Sequence, residues 1–157
     1  VSDGGYRGYI TSRPVRESHF PQRVQNLVVR DYAQRRGLAF RLSLTEYAMP
    51  GCSMMLETLL GELDALDGII LFSAFVLPAD RARRQSIFER VIAAGKPLHA
   101  ALENLVVRTP ADAAGWDDLI EVNALLPATP FGGRYEKTAT PLGAEAATML
   151  AAMGVCG

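Results

Sequence analysis

The chain has 157 residues, of which 49% are hydrophobic and 21% charged, with a formal net charge of −1 and a pI near 6.1. These values describe one soluble globular domain and exclude a disordered chain, which carries far fewer apolar residues. The longest apolar run, Gly68-Ile-Ile-Leu-Phe-Ser-Ala-Phe-Val-Leu-Pro78, falls well short of the ~18 residues of a membrane span. The near-neutral balance argues against a dedicated DNA-binding domain, which usually presents a strongly basic face.

Two cysteines, Cys52 and Cys156, are too few for a disulfide framework, so the expected compartment is the reducing cytoplasm. No basic-then-apolar signal segment precedes Tyr6-Arg-Gly-Tyr-Ile10, and the first residue is read as the start of the mature domain. Charge is uneven along the chain. Residues 1–47 hold eight arginines against four carboxylates, an excess of +4, whereas residues 48–157 hold eight basic and thirteen acidic side chains. Most of these arginines are expected to coat an exposed helix face, with a few gathering at an anion site.

In chain order, Tyr6–Thr11 reads as a first strand. A first helix follows from about Ser18 to Arg36, with Phe20, Val24, Leu27, Val28 and Tyr32 on one stripe and Gly37 as its stop. Leu38–Leu44 alternates as a second strand, and Met49-Pro-Gly-Cys52 breaks the chain. Ser53 is placed to cap a second helix whose Met55, Leu56, Leu59, Leu60, Leu63 and Leu66 form its apolar face. Ile69–Phe75 reads as a central strand buried on both faces of a parallel sheet. Asp80 opens a third helix that Gly95 ends, and Pro97–Leu102 is a fourth strand.

Thr109 and Pro110 then begin a helix reaching about Leu126, Pro127–Pro141 reads as a loop, and Ala144–Met153 as a short terminal helix. The alternation predicts a single α/β domain over residues 1–157: a three-layer open sheet, mostly parallel, of four or more strands in the order 2-1-3-4. Residues 6–105 form its core, and residues 106–157 a helical C-terminal extension. Leu119, Ile120, Leu125, Leu126, Met149 and Leu150 predict a homo-oligomer, a dimer or tetramer.

Ligands of open parallel sheets bind beyond the carboxyl ends of the strands. That rule selects Thr11, Ser12, Arg13 and Arg16 after the first strand, Glu46 and Tyr47 after the second, Ser73 and Phe75 after the third, and Glu103 and Asn104 after the fourth. The loop Thr11–Gln22 brings two hydroxyls and two guanidiniums to the start of a helix, a place suited to a phosphate or carboxylate, although no glycine-rich phosphate loop is present. Glu103 ends an apolar strand, where an ionised carboxylate must be paired or solvated, and is the leading acid/base candidate. Ser12 and Ser73 are candidate nucleophiles that need a neighbouring base. His99 reads as a core histidine and Cys52 as an inert thiol. Neither histidine has the spacing of a metal site, and no cofactor or metal is expected.

The stretches Gly8-Tyr-Ile-Thr-Ser-Arg-Pro14, Gly68–Pro78 and Leu98-His-Ala-Ala-Leu-Glu-Asn104 resemble the sporadic carbohydrate cluster protein family over about residues 6–105. Members of that small bacterial family are found with genes for surface-polysaccharide or unusual-sugar biosynthesis, so the resemblance implies a pathway context and supplies no reaction. More distantly, the order of elements is similar to the catalytic domain of serine recombinases, with Ser12, Gln22, Gln25 and Glu103 fitting the outline. The chain departs from that pattern at Thr11, which stands where the recombinase pattern has an arginine before the serine, and in the Ser73–Pro78 turn, which lacks arginines. The architecture also resembles nucleoside deoxyribosyltransferase-like domains.

These readings predict a small enzyme acting on a phosphorylated or nucleotide-linked sugar, an isomerase, lyase or transferase in surface-carbohydrate biosynthesis. Glu103, Ser12 and Ser73 are its catalytic candidates, with Thr11, Arg13, Arg16, Gln22, Glu46, Tyr47 and Asn104 binding substrate. Its partner is expected to be a sugar phosphate or nucleotide sugar, with no membrane and nucleic acid improbable. The alternatives are a non-catalytic binding or scaffold protein of the pathway and a DNA-acting relic of the recombinase fold.

Overall fold

The computed structural model describes residues 4–126. A five-stranded sheet in the order β2-β1-β3-β4-β5 runs through the domain. The strands are β1 (Tyr6–Thr11), β2 (Phe40–Glu46), β3 (Gly68–Leu71), β4 (Leu98–Ala100) and β5 (Leu105–Val107). The first four are mutually parallel in the expected 2-1-3-4 order, and β5 adds an antiparallel edge that the sequence reading did not contain. Helices α1 (Gln22–Arg35), α2 (Met54–Gly61), α3 (Arg81–Ala93) and α4 (Pro110–Leu125) complete the fold, with short 3-10 turns at Leu63–Ala65 and Ala74–Val76.

The right-handed crossover rule puts α1 on one face of the sheet and α2 and α3 on the other, because β2 and β4 lie on opposite sides of the β1-β3 pair. The packing agrees: α1 contacts β1, β2 and β3, while α2 contacts α3 and α3 contacts α4. The central strand β3 is buried at all four residues, since both of its faces meet helices. At its start a Cβ on Gly68 would lie 2.6 Å from the Pro97 carbonyl oxygen, a contact that only glycine avoids.

Several boundaries differ from expectation. Helix α1 begins at Gln22 instead of Ser18, because Val15 and Ser18 close a two-residue turn by exchanging backbone hydrogen bonds (2.9 and 3.0 Å), with Arg16 and Glu17 at φ 50° and 64°. The third strand ends at Leu71, since Ser73 accepts the Phe75 N–H and turns the chain into 3-10 geometry. Ser53 occupies the N-cap position of α2 without capping it through its side chain. The Glu46 carboxylate takes that place, accepting the Met55 and Leu56 amides at 3.0 and 3.3 Å. The expected loop and terminal helix over Pro127–Met153 lie outside the described residues.

His99 is a core histidine, as expected. It is 1% exposed, its Nδ1 lies 2.9 Å from the Tyr32 hydroxyl, and Tyr6 and Tyr32 stack edge-on against its ring. Its Nε2 makes no hydrogen bond among the described residues. Burial, helped by the Arg108 and Arg36 charges, pushes its pKa down to about 4 from 6.5. Protons therefore bind the unfolded chain first as pH falls from 6.5, and the stability present above 6.5 is progressively lost toward pH 4. Urea midpoints measured across that window are expected to fall in the wild type and to flatten in His99→Phe. An unchanged slope in the variant would assign the titration elsewhere.

Candidate functional site

The carboxyl ends of β1, β2 and β3 open onto a crevice of about 410 Å³. Its walls come from Tyr9, Thr11, Arg13, Pro14, Gly51–Ser53 and Phe75–Asp80, with Arg83 contributed by α3, and Ser12 is not among them. The loop after β1 is built around Thr11, whose Oγ1 accepts the Arg13 amide (3.0 Å) and lies 3.5 Å from the Arg13 Nε. Gln25, fully buried, clamps the same loop from α1. Its Oε1 accepts the Thr11 N–H, and its Nε2 donates to the carbonyls of Thr11 and Phe20. These three hydrogen bonds tie the loop to α1 and fix its direction.

Two arginines line the crevice, Arg13 from the loop after β1 and Arg83 from α3. Arg83 is held there by hydrogen bonds to the Ser53 Oγ and the Gly51 carbonyl. A third, Arg16, lies over the Phe75 ring at 5.0 Å from its centroid. It is presented by the Val15–Ser18 turn, whose two left-handed non-glycine residues each cost ~1–2 kcal/mol. Asp80 sits on the rim and is committed to capping α3, accepting the Arg83 N–H at 2.9 Å.

The hydroxyl and carboxylate candidates separate into two pairs. Ser12 Oγ accepts from the Gln22 side chain at 2.9 Å, and among the described residues no carboxylate or imidazole bonds to it. Ser73 donates to Glu103 Oε1 at 2.6 Å and accepts the Phe75 amide at 3.1 Å, while Glu103 Oε2 accepts the Ala74 N–H at 2.9 Å. Ser73 is fully buried. A nucleophile must be reached by its substrate, so this burial removes Ser73 from that role and leaves the Ser73–Glu103 pair bracing the turn after β3.

Two further expectations change. Glu46, placed with the ligand-binding residues, is fully buried. It accepts hydrogen bonds from the Tyr9 hydroxyl, the Tyr47, Met55 and Leu56 amides and the Cys52 thiol. That arrangement ties β2 to α2 and leaves no direction for a ligand. Tyr47 is exposed and outside the crevice walls, and the Asn104 Oδ1 accepts from Arg36 at 2.7 Å, so neither joins Arg13. Arg83 was absent from the candidates because it lies on a helix face, and no local signal reveals that it reaches from α3 to Gly51 and Ser53 in the loop after β2.

A wider depression of about 1180 Å³ runs along the β2 edge. Arg7, Arg30 and Arg41 line it together with Glu62, and Arg7 is paired with Glu62 at 2.9 Å. Among the described residues no group of His, Cys, Asp and Glu side chains is placed to hold a metal ion, and no helix is long and apolar enough to cross a membrane.

No protein-family model matches the chain, and no curated protein matches it in sequence. The likeness to the sporadic carbohydrate cluster family thus rests on the three quoted stretches alone. Among solved structures the chain is similar to the N-terminal catalytic domain of TP901-1 integrase, with a TM-score of 0.53 and 12% identity over 76% of this chain and 95% of that one. The chain has a resolvase-like fold. At that identity the likeness speaks to the fold, and the activity does not follow from it. The neighbour nevertheless overturns one expectation. Nucleic acid was set aside as an improbable partner in favour of a sugar phosphate or nucleotide sugar, yet the domain sharing this fold is the catalytic part of an integrase.

Proposed function

We propose that this domain binds the phosphate backbone of nucleic acid at the crevice, without performing strand transfer. The observation that carries the reading is that two arginines, Arg13 and Arg83, line one crevice at the carboxyl ends of the strands. A guanidinium offers a planar fork matched to phosphate oxygens. The resolvase-like fold supports the choice of a phosphodiester over a free anion. Strand transfer needs an accessible hydroxyl and a group to take its proton. Ser73 lacks access, and Ser12 lacks a neighbouring carboxylate or imidazole among the described residues.

Mobility-shift titrations of DNA at several salt concentrations test this reading. Binding is expected to weaken steeply with salt, because each neutralised phosphate releases counterions. Arg13→Ala and Arg83→Ala are each expected to lower the slope of log K against log salt by about 1. Ser12→Ala is expected to leave binding unchanged. A flat titration at low salt with a folded protein would overturn the reading.

A further inference from the structure

We infer that the crevice receives a single unstacked nucleotide, so that the domain prefers single-stranded nucleic acid, or a frayed end, over intact duplex. This inference rests on the phosphate-binding reading above, since Arg13 and Arg83 serve both. It adds what the rest of the crevice recognises.

The first argument is size and shape. Sites that enclose a small ligand run to ~300–1,000 Å³, and this crevice, at about 410 Å³, lies at the lower end. A crevice of this volume can receive one unstacked nucleotide, whereas a duplex presents its backbone as a convex ridge.

The second argument is wall chemistry. Beside the two guanidiniums, the crevice is lined by Phe75, Val76, Leu77, Pro78 and Pro14. Phosphate oxygens gain nothing from an apolar wall, and the bases of a duplex are stacked away from it. A base swung out of the stack presents a flat apolar face that such a wall can cover, as aromatic platforms do in single-strand binding. Phe75 is the one aromatic ring facing the crevice besides Tyr9, and Tyr9 is fully buried and engaged with Glu46. Phe75 remains half-buried, with the Arg16 guanidinium against its ring. A base contacting that ring would sit close to a guanidinium, which also stacks on bases.

The test compares a labelled oligothymidylate strand with the same strand annealed to its complement, by fluorescence anisotropy at low salt on the full chain. The single strand is expected to bind at least ~10-fold more tightly, and Phe75→Ala to reduce single-strand affinity ~10-fold while leaving duplex affinity unchanged. Because Phe75 also packs against the core, Phe75→Leu, which keeps the apolar bulk and removes the ring, is measured in parallel with a thermal melt of each variant. The same selective loss is expected from it. Equal affinity for strand and duplex, or a Phe75→Leu protein that binds the strand as well as wild type, would overturn the single-strand inference and leave the phosphate-binding reading standing. Failure to bind either probe would overturn both.

Discussion

Replacing Arg84 with alanine is expected to destabilise the domain by about 3–5 kcal/mol, the range for stranding one member of a buried ion pair. Arg84 is 1% exposed and uses its whole fork. Its Nε bonds Asp117 Oδ1 at 2.8 Å, Nη1 donates to the Pro78 and Ala79 carbonyls at 3.1 and 2.6 Å, and Nη2 lies 3.4 Å from Glu121. Asp117, 4% exposed, would keep only the longer approaches of Arg81 at 3.8 Å and Gln85 at 3.5 Å. Lysine is expected to recover little, because a point charge cannot serve two carbonyls and a carboxylate at once. Pro78 and Ala79 are also crevice wall, so the variant is expected to weaken nucleic-acid binding beyond its effect on folding. Urea unfolding of Arg84→Ala, Asp117→Ala and the double variant measures the pair. A double variant no more damaged than either single one is the expected result, and additive losses would show that the two groups act independently.

Glu46→Leu is expected to cost about 4 kcal/mol, because it strands the Tyr9 hydroxyl and the Tyr47, Met55 and Leu56 amides around an apolar side chain of similar size. A loss below about 1 kcal/mol would mean that water or a shifted loop satisfies those donors. The same residue sets an acid limit. Burial pushes the Glu46 carboxyl up, but hydrogen bonds from the Tyr47 amide, the Cys52 thiol, the Leu56 amide and the Tyr9 hydroxyl outweigh it and hold the group below its ordinary 4.5. A depressed folded value means that the unfolded chain binds the proton more readily. The stabilisation is therefore complete above 4.5 and is lost as pH falls through the folded value. This window lies below the one assigned to His99, so urea midpoints taken from neutral to strongly acidic pH are expected to show two separate losses. Glu46→Gln should reduce the lower one and leave the upper.

The elements that were legible in the sequence are those with strong local signals. Tyr6–Thr11 forms β1 with the expected bounds. Thr109 and Pro110 start α4 as read, with Asp112 completing a capping box. Gly37 ends α1 at φ +64°. The signals failed where a tertiary partner replaced a local one. Ser53 has the chemistry of an N-cap, yet Glu46, on another element, supplies the acceptor for the α2 amides. Strand β5 has only three residues, too short for any periodicity, and exists because β4 offers it an antiparallel edge.

The same division runs through the candidate site. The crevice rule correctly put Thr11, Arg13 and Phe75 at one end of the sheet, since side chains just past parallel strands must emerge there. Which of the selected groups face solvent and which satisfy one another was not legible. Ser73, Glu103 and Glu46 are spent on buried backbone amides, whose need for acceptors depends on how the loops pack.

By itself, then, the order of apolar runs, caps and glycines determined a right-handed α/β sheet, because periodicity and chain handedness are local properties. The tertiary structure alone decided that Arg83 lines the same crevice as Arg13, that Arg84 ties its wall to α4, and that Glu46 serves the fold. Pairing between distant elements depends on distances that no spacing along the chain encodes.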